Sequence, residues 1–338
     1  MRDIFKLQDE IATEVVLALK SRLIEVASAD RTQSESAHAR LLEGQFFMER
    51  WAIGDAARAM AAYREAIAED QNYALAWAEL SWAALWTSPQ DYGTCSAAAK
   101  RAIELSPNLA QAHASRGWCE STLGYDWDVG AAEFAEALAL QPNNARALYG
   151  RGRLARVLRR NDESLRDYAA VLELDPINPF VLTGYSTSLL AAGRAAEAVE
   201  TARMALQLSP NIQEGHWYVA YALLWDNKLS EAADEIALEP IESLRRSCEA
   251  LIARARKNRD AADASLRALL ATKDSTQPYM VAQVYASLGQ SNMAIEWLER
   301  TRRSRVGWFG EFNGDPAFDP IRRDPEFVTY LQQVKLPE

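Results

Sequence analysis

Apolar residues recur at steps of three and four along most of this chain, the period of helices with one face turned inward. Ile4, Leu7, Ile11, Val15, Leu19 and Leu23 give residues 3–27 a single apolar stripe, which predicts one long amphipathic helix. A polar stretch, SADRTQSESA (28–37), follows it. Beyond it the helical runs come in pairs, and four pairs close on a proline: Pro107, Pro142, Pro176 and Pro210, at spacings of 35, 34 and 34 residues. Proline lacks an N–H and clashes with the preceding turn, so each one stops a helix. A fixed period near 34 predicts a stacked helix–turn–helix array, in which each unit packs only on its neighbours.

The positions within the period fit the tetratricopeptide pattern, with small and aromatic residues where two helices cross. Ala59, Tyr63 and Ala66 fill the second-helix positions of the first repeat, with Gln71 where proline is usual. Trp77, Leu80, Ala102 and Pro107 mark the second repeat; Gly117, Gly130, Phe134, Ala137 and Pro142 mark the third. Gly152, Ser164, Tyr168, Val171 and Pro176 mark the fourth, and Ser186, Gly193, Ala198, Ala205 and Pro210 the fifth. The sixth is cut short by ALEPIES, and two weaker pairs follow over about 241–272 and 277–304. The predicted fold is therefore all-α, a right-handed tetratricopeptide superhelix (α-solenoid) of about seven to eight helix pairs with a terminal cap. Its expected parts are a junction helix over 1–30, the array over 36–304, and an irregular cap over 305–338. Trp308, Phe309, Phe312 and Phe318 are the cap's expected anchors, with a short helix over roughly 324–334.

Composition narrows the function classes. The chain is 49% hydrophobic and 25% charged, which excludes wholesale disorder. A net charge of −10 gives no footprint for nucleic acid, which needs clustered Lys and Arg. The main basic run, RRSCEALIARARKNR (245–259), spreads its charges around a helix and reads as a solvated face. The most apolar stretch, 74–86, is too short to span a bilayer, which takes roughly 20 residues. Three cysteines, Cys95, Cys119 and Cys248, with no Cys-x-x-Cys and no secretory signature, point to reduced thiols in the cytoplasm. His38, His113 and His216 are scattered over separate repeats, and His113 and His216 fall at packing positions. No phosphate loop, metal-ligand spacing or nucleophile elbow is present, so no enzyme, cofactor or metal is expected. Asp126 and Asp128 stand at a helix start, where Asp caps free N–H groups.

Three segments are more specific than the repeat positions: DIFKLQDEIATEVVLAL (3–19), GYDWDVGAAEFAEALALQPNNA (124–145) and VYASLGQSNMAIEWLERT…DPAFDPIRRDPEF (284–327). On these the whole chain resembles the carboxy-terminal half of a bacterial signalling family. There a tetratricopeptide array follows a TolB-like segment joined to an adenylate/guanylate cyclase or a winged-helix regulator domain. The resemblance implies a sensory and interaction half without its effector domain, with LQDEIA at the junction between the two. No cyclase or DNA-binding residue carries over.

In such arrays the first helix of each pair lines the concave face. By the family's groove positions this wall comprises Trp82 and Trp86, Trp118, Arg146, Tyr149, Arg153 and Arg156, Phe180 and Thr187, and Trp217, Tyr221 and Trp225. Arginine and aromatic residues carry interface hot spots, and an arginine row in an acidic chain suggests capture of a carboxylate or another anion. The expected partner is a protein or peptide segment with an acidic or carboxylate group, and Arg153→Glu is expected to weaken its binding without much change in melting temperature. The competing reading of the same rings is packing between helices. The alternative function is control of an amino-terminal effector in cis, with the 3–27 helix packed on the first repeat or paired with its copy in a homodimer. A small-molecule pocket between repeats six and eight, where the period breaks, is the remaining reading.

Overall fold

The computed structural model describes residues 32–50, 54–87, 90–274, 276–305 and 309–337; the expected helix over 3–27 and the expected anchor Trp308 lie outside them. The described residues hold seventeen α-helices and no strand, an all-α solenoid of the tetratricopeptide kind. Sixteen of the helices follow one another as eight pairs. The chain divides into two compact units, Met1–Arg116 and Gly117–Glu338.

The first unit contains α1 (Glu35–Arg50), α2 (Asp55–Glu69), α3 (Ala74–Leu85), α4 (Tyr92–Leu105) and the start of α5 (Ala110–Cys119). Each pair closes on a small residue. Tyr63 of α2 is fully buried over Gly44, where an added Cβ would lie 2.3 Å from its ring. Ser81 of α3 donates to the Cys95 carbonyl at 2.8 Å, holding α3 to α4. Asp55, at the start of α2, is buried with Arg50 at 2.6 Å and Arg58 at 3.1 Å.

The second unit begins with the end of α5, which passes through a π turn, Glu120–Gly124, into α6 (Trp127–Leu140). Asp126 caps α6 by accepting from the Val129 N–H at 3.2 Å. There follow α7 (Ala145–Val157), α8 (Asn161–Leu174), α9 (Pro179–Ala191), α10 (Ala195–Leu208), α11 (Gly215–Trp225) and the eight-residue α12 (Leu229–Ile236). Then come α13 (Glu242–Ala255), α14 (Arg259–Ala271), α15 (Gln277–Ser287) and α16 (Ser291–Ser304). Gly117 and Gly150 receive the buried Phe134 ring, and Gly152 and Gly184 receive Tyr168. In both units the helices before Pro107, Pro142, Pro176 and Pro210 end at Leu105, Leu140, Leu174 and Leu208, two residues short of each proline.

The turn between the two helices of a pair needs a left-handed residue. Gly193 (φ 74°) and Gly289 (φ 73°) supply it without cost, whereas Arg159 (φ 59°), Asn227 (φ 59°) and Lys257 (φ 58°) hold the same geometry with a side chain.

After α16 the chain turns irregular, with 3₁₀ turns at Glu311–Asn313 and Pro316–Ile321, and ends in α17 (Pro325–Gln333). Phe309, Phe312, Phe318 and Phe327 are all fully buried. Phe312 meets Phe318 at 5.7 Å and Phe327 at 5.9 Å, centroid to centroid, so the cap has an aromatic core of its own.

Candidate partner-binding wall

In the second unit three of the wall residues, Arg153, Arg156 and Tyr221, converge on the chain's own cap. Arg153 and Arg156 on α7, one helical turn apart, both ion-pair with Glu311, Arg153 at 2.6 Å. They are 9% and 6% exposed. Burial pushes the Glu311 carboxyl up, but the two guanidinium groups outweigh it and hold it below the usual carboxylate range. Burial likewise opposes the charge on Arg156, and Glu311 more than restores it. Arg153 also donates to Thr122 Oγ1 at 3.1 Å and lies 5.8 Å over the Trp118 ring.

The second convergence is on Asp315. Tyr221 on α11 donates to one carboxylate oxygen, while Tyr279 at 2.8 Å and Gln283 at 2.9 Å on α15 donate to the other. Burial raises Asp315 from the ordinary range, and these donors oppose the rise. Only three residues separate Glu311 from Asp315, so a short irregular segment reaches α7, α11 and α15, each the first helix of its pair. Further bonds fasten it: Asn313 Nδ2 donates to the Val157 carbonyl at 2.9 Å, and Arg159 Nη1 donates to the Asn313 carbonyl at 3.2 Å. Trp127 Nε1 reaches the Val334 carbonyl at 2.8 Å, and Arg305 reaches that of Leu123 at 3.0 Å.

The remaining wall residues form three aromatic groups, with Arg146 apart from them. Trp118 is buried, its Nε1 donating to the Arg146 carbonyl at 2.9 Å and its ring 5.2 Å from Tyr149. Tyr149 also meets Tyr168 and Phe180, at 5.3 and 5.7 Å. Trp217 is buried and stacked on Tyr221 at 4.8 Å, and Trp225 meets Tyr221 edge-on at 6.0 Å. Trp82 and Trp86 belong to the first unit, half-buried and edge to face at 5.3 Å. Arg146 is half-exposed.

The geometry turns round one expectation of the sequence. Arg153 is buried in an ion pair within the molecule, so Arg153→Glu would set a second carboxylate beside Glu311 and is expected to cost stability as well as any partner. The sequence reading also passed over Glu311 and Asp315, which engage these side chains, and over Asn313, Tyr279, Gln283 and Trp127, which help to hold the cap in place. A signal was present, since the segments 124–145 and 284–327 are more specific than the generic repeat positions. They meet in space, with Tyr125 4.6 Å from Phe309.

One cavity of about 290 Å³ opens beside the cap, lined by Arg159, Leu190, Trp225, Pro316 and Arg322 among others. Arg159 is exposed, and its guanidinium donates to the Asn313 carbonyl. Partial burial, with the neighbouring Arg322 adding to it, lowers its pKa, so two cations stand together there against the single carboxylate of Asp319. Among the described residues no group of three His, Cys, Asp or Glu side chains is placed to hold a metal ion. No described helix is long and apolar enough to cross a membrane. His113 Nε2 pairs with the Pro107 carbonyl at 2.8 Å, and His216 Nδ1 with Glu235 at 2.6 Å.

No family profile matches the chain, and no curated protein does. Solved structures do resemble it. Human IFIT1, solved as a dimer with m7Gppp-AAAA, is 14% identical with a TM-score of 0.59, over 87% of this chain and 78% of that one. A tetratricopeptide repeat protein from Parabacteroides merdae is 14% identical with a TM-score of 0.50, over 73% of this chain and 98% of that one. At such identities the likeness establishes the fold alone.

Proposed function

We propose that this chain is a cytoplasmic, non-enzymatic protein-binding module, the interaction or sensory half of a bacterial signalling protein. What supports this reading is that the first helices of the second unit already hold an irregular acidic–aromatic segment, residues 309–322, by two carboxylates and three phenylalanines. A surface that seats its own tail in this way has the chemistry to seat a partner's acidic peptide next to it. The place for that is the cavity at Arg159 and Trp225, where cationic charge exceeds anionic. A carboxylate there gains charge-assisted hydrogen bonds from a guanidinium that now bonds a backbone carbonyl.

The test is affinity capture from a lysate of the source organism, with the wild-type chain beside Arg159→Glu and Arg166→Glu. Both arginines are exposed; Arg159→Glu gives up one bond to the cap, so the melting temperature of each variant is compared with wild type first. A protein retained by wild type and Arg166→Glu and lost by Arg159→Glu supports the reading; identical captures by all three overturn it.

One observation favours the second reading, regulation of an amino-terminal cyclase or DNA-binding effector in cis with no ligand in the groove. Arg153, Arg156, Tyr221 and Trp217 are already engaged inside the molecule. Under that reading the Arg159→Glu variant captures what wild type captures, and fusion to an effector domain alters the effector's output.

A further inference from the structure

The small residue that seats each pair's second helix gives a common register: Gly44, Ser81, Gly117 and Gly152. Five residues before, two before and two after it, each first helix turns a face towards the pair that precedes it. In α3 these residues are Ala76, Glu79 and Ala83, all buried. In α7 they are Ala147, Gly150 and Leu154, also buried, with Phe134 of the preceding pair pressed on Gly150. In α1 they are Ala39, Leu42 and Phe46, and there the pattern inverts. Ala39 is exposed, Leu42 is 51% exposed and Phe46 is 55% exposed. Exposed large apolar groups at three- and four-residue steps form a face built for a helix, and a solenoid needs its end faces covered.

The chain itself contains the complement. Residues 3–27 lie ahead of α1 in the sequence and carry an apolar stripe with no place yet in the described array. Residues 28–34 link the two, a longer connection than the residues 70–73 that join α2 to α3. A helix reversing through that link runs back along α1, bringing Leu19 alongside Leu42 and Val15 alongside Phe46. At 1.5 Å per residue α1 is about 24 Å long, which residues 11–27 match, while Ile4 and Leu7 extend past its end. We propose that residues 11–27 form the missing preceding helix, lying antiparallel on α1 with Leu23, Leu19 and Val15 against Ala39, Leu42 and Phe46. The segment is then the amino-terminal cap of the array, whatever the wall of the second unit binds.

The test is thiol cross-linking of the full chain carrying Leu19→Cys/Leu42→Cys, with Val15→Cys/Phe46→Cys as a second pair. The native thiols Cys95, Cys119 and Cys248 are buried and do not compete. Leu19→Cys/Ala61→Cys, with the second thiol on the exposed face of α2, is the control. Treatment of dilute protein with a short bis-maleimide should give a monomeric product linked between residues 19 and 42, in at least tenfold excess over the control. If covalent dimers dominate, the face belongs to a second copy and the proposal fails. If neither product exceeds the control, it fails equally.

Discussion

Replacing Glu311 with glutamine keeps the shape of the side chain and removes the charge that pairs with both Arg153 and Arg156. Both guanidinium groups remain buried, at 9% and 6% exposure. Arg153 retains the Thr122 hydroxyl and the Trp118 ring, so part of its cost is covered. Breaking a buried pair by removal of one partner costs about 3–5 kcal/mol, because an uncompensated charge stays behind. We expect about 4 kcal/mol here. In a unit of this size 1 kcal/mol moves the melting temperature by about 2–4 °C, so the expected fall is about 8–16 °C. Urea unfolding followed by circular dichroism and by tryptophan fluorescence reads the same loss as a lower midpoint. Acid adds an independent arm. The folded Glu311 titrates below its ordinary value of 4.5, so its stabilisation is full above pH 4.5 and fades as pH falls through the folded pKa. The glutamine variant lacks that part of the acid response. Replacing all three groups with Leu or Met should recover most of the loss, because the buried charge goes with the pair. A change below about 1 kcal/mol for Glu311→Gln would refute the reasoning, since it would mean that water screens the pair and the cap is not seated on the wall.

Two further outcomes follow from the packing and from one half-buried carboxyl. An added Cβ at Gly150 would lie 2.3 Å from the Phe134 ring and 2.6 Å from Trp118 Nε1, so Gly150→Ala should destabilise by about 1–3 kcal/mol in urea unfolding. Gly93→Ala, with its nearest neighbour at 3.5 Å, should change little. Burial, with Glu239 beside it, raises Glu214 to about 7, against the hydrogen bond from Tyr218. Between pH 4.5 and 7 the folded state then binds the proton that the unfolded state has released, so stability falls as pH rises across that window, by up to about 3 kcal/mol. Glu214→Gln should flatten the slope of melting temperature against pH between 5 and 7.5, and an unchanged slope would place the titration elsewhere.

The array was legible because its determinants are local. Each proline sits two residues past a helix end, and each glycine or serine at a crossing has an aromatic ring or a backbone carbonyl against it. Those relations repeat every 34 residues or so, and a period survives any one substitution. The cap was legible as aromatic and irregular for the same reason: glycines and Asp-Pro steps announce themselves. Its destination was not. The pairing of Arg156 with Glu311 joins residues 155 apart, and no period in the chain encodes it. The arginine row on α7 therefore read as an offer to a partner, when its carboxylate stood in the same molecule. The π turn at Glu120–Gly124 was nearly hidden too, since its extra backbone residue shows in the sequence only as the one spacing of 35 residues, Pro107 to Pro142, among spacings of 34. It shapes the approach to Tyr125 and Trp127, which meet the cap at Phe309 and Val334.

The bond from Trp127 to Val334 closes a loop of 207 residues, and with the Glu311 pairs it has a consequence for how this molecule comes into being. A stack of repeats can fold as it leaves the ribosome, one unit upon the last, needing nothing that is still unmade. The wall of the second unit cannot finish that way. At about 5–20 residues per second, Arg156 emerges roughly 10–30 s before the residue that neutralises it. For that interval the nascent protein carries an open cationic–aromatic trough that the mature one has closed. A chain that ends early, by a nonsense codon or a protease cut after α16, would keep it open for life.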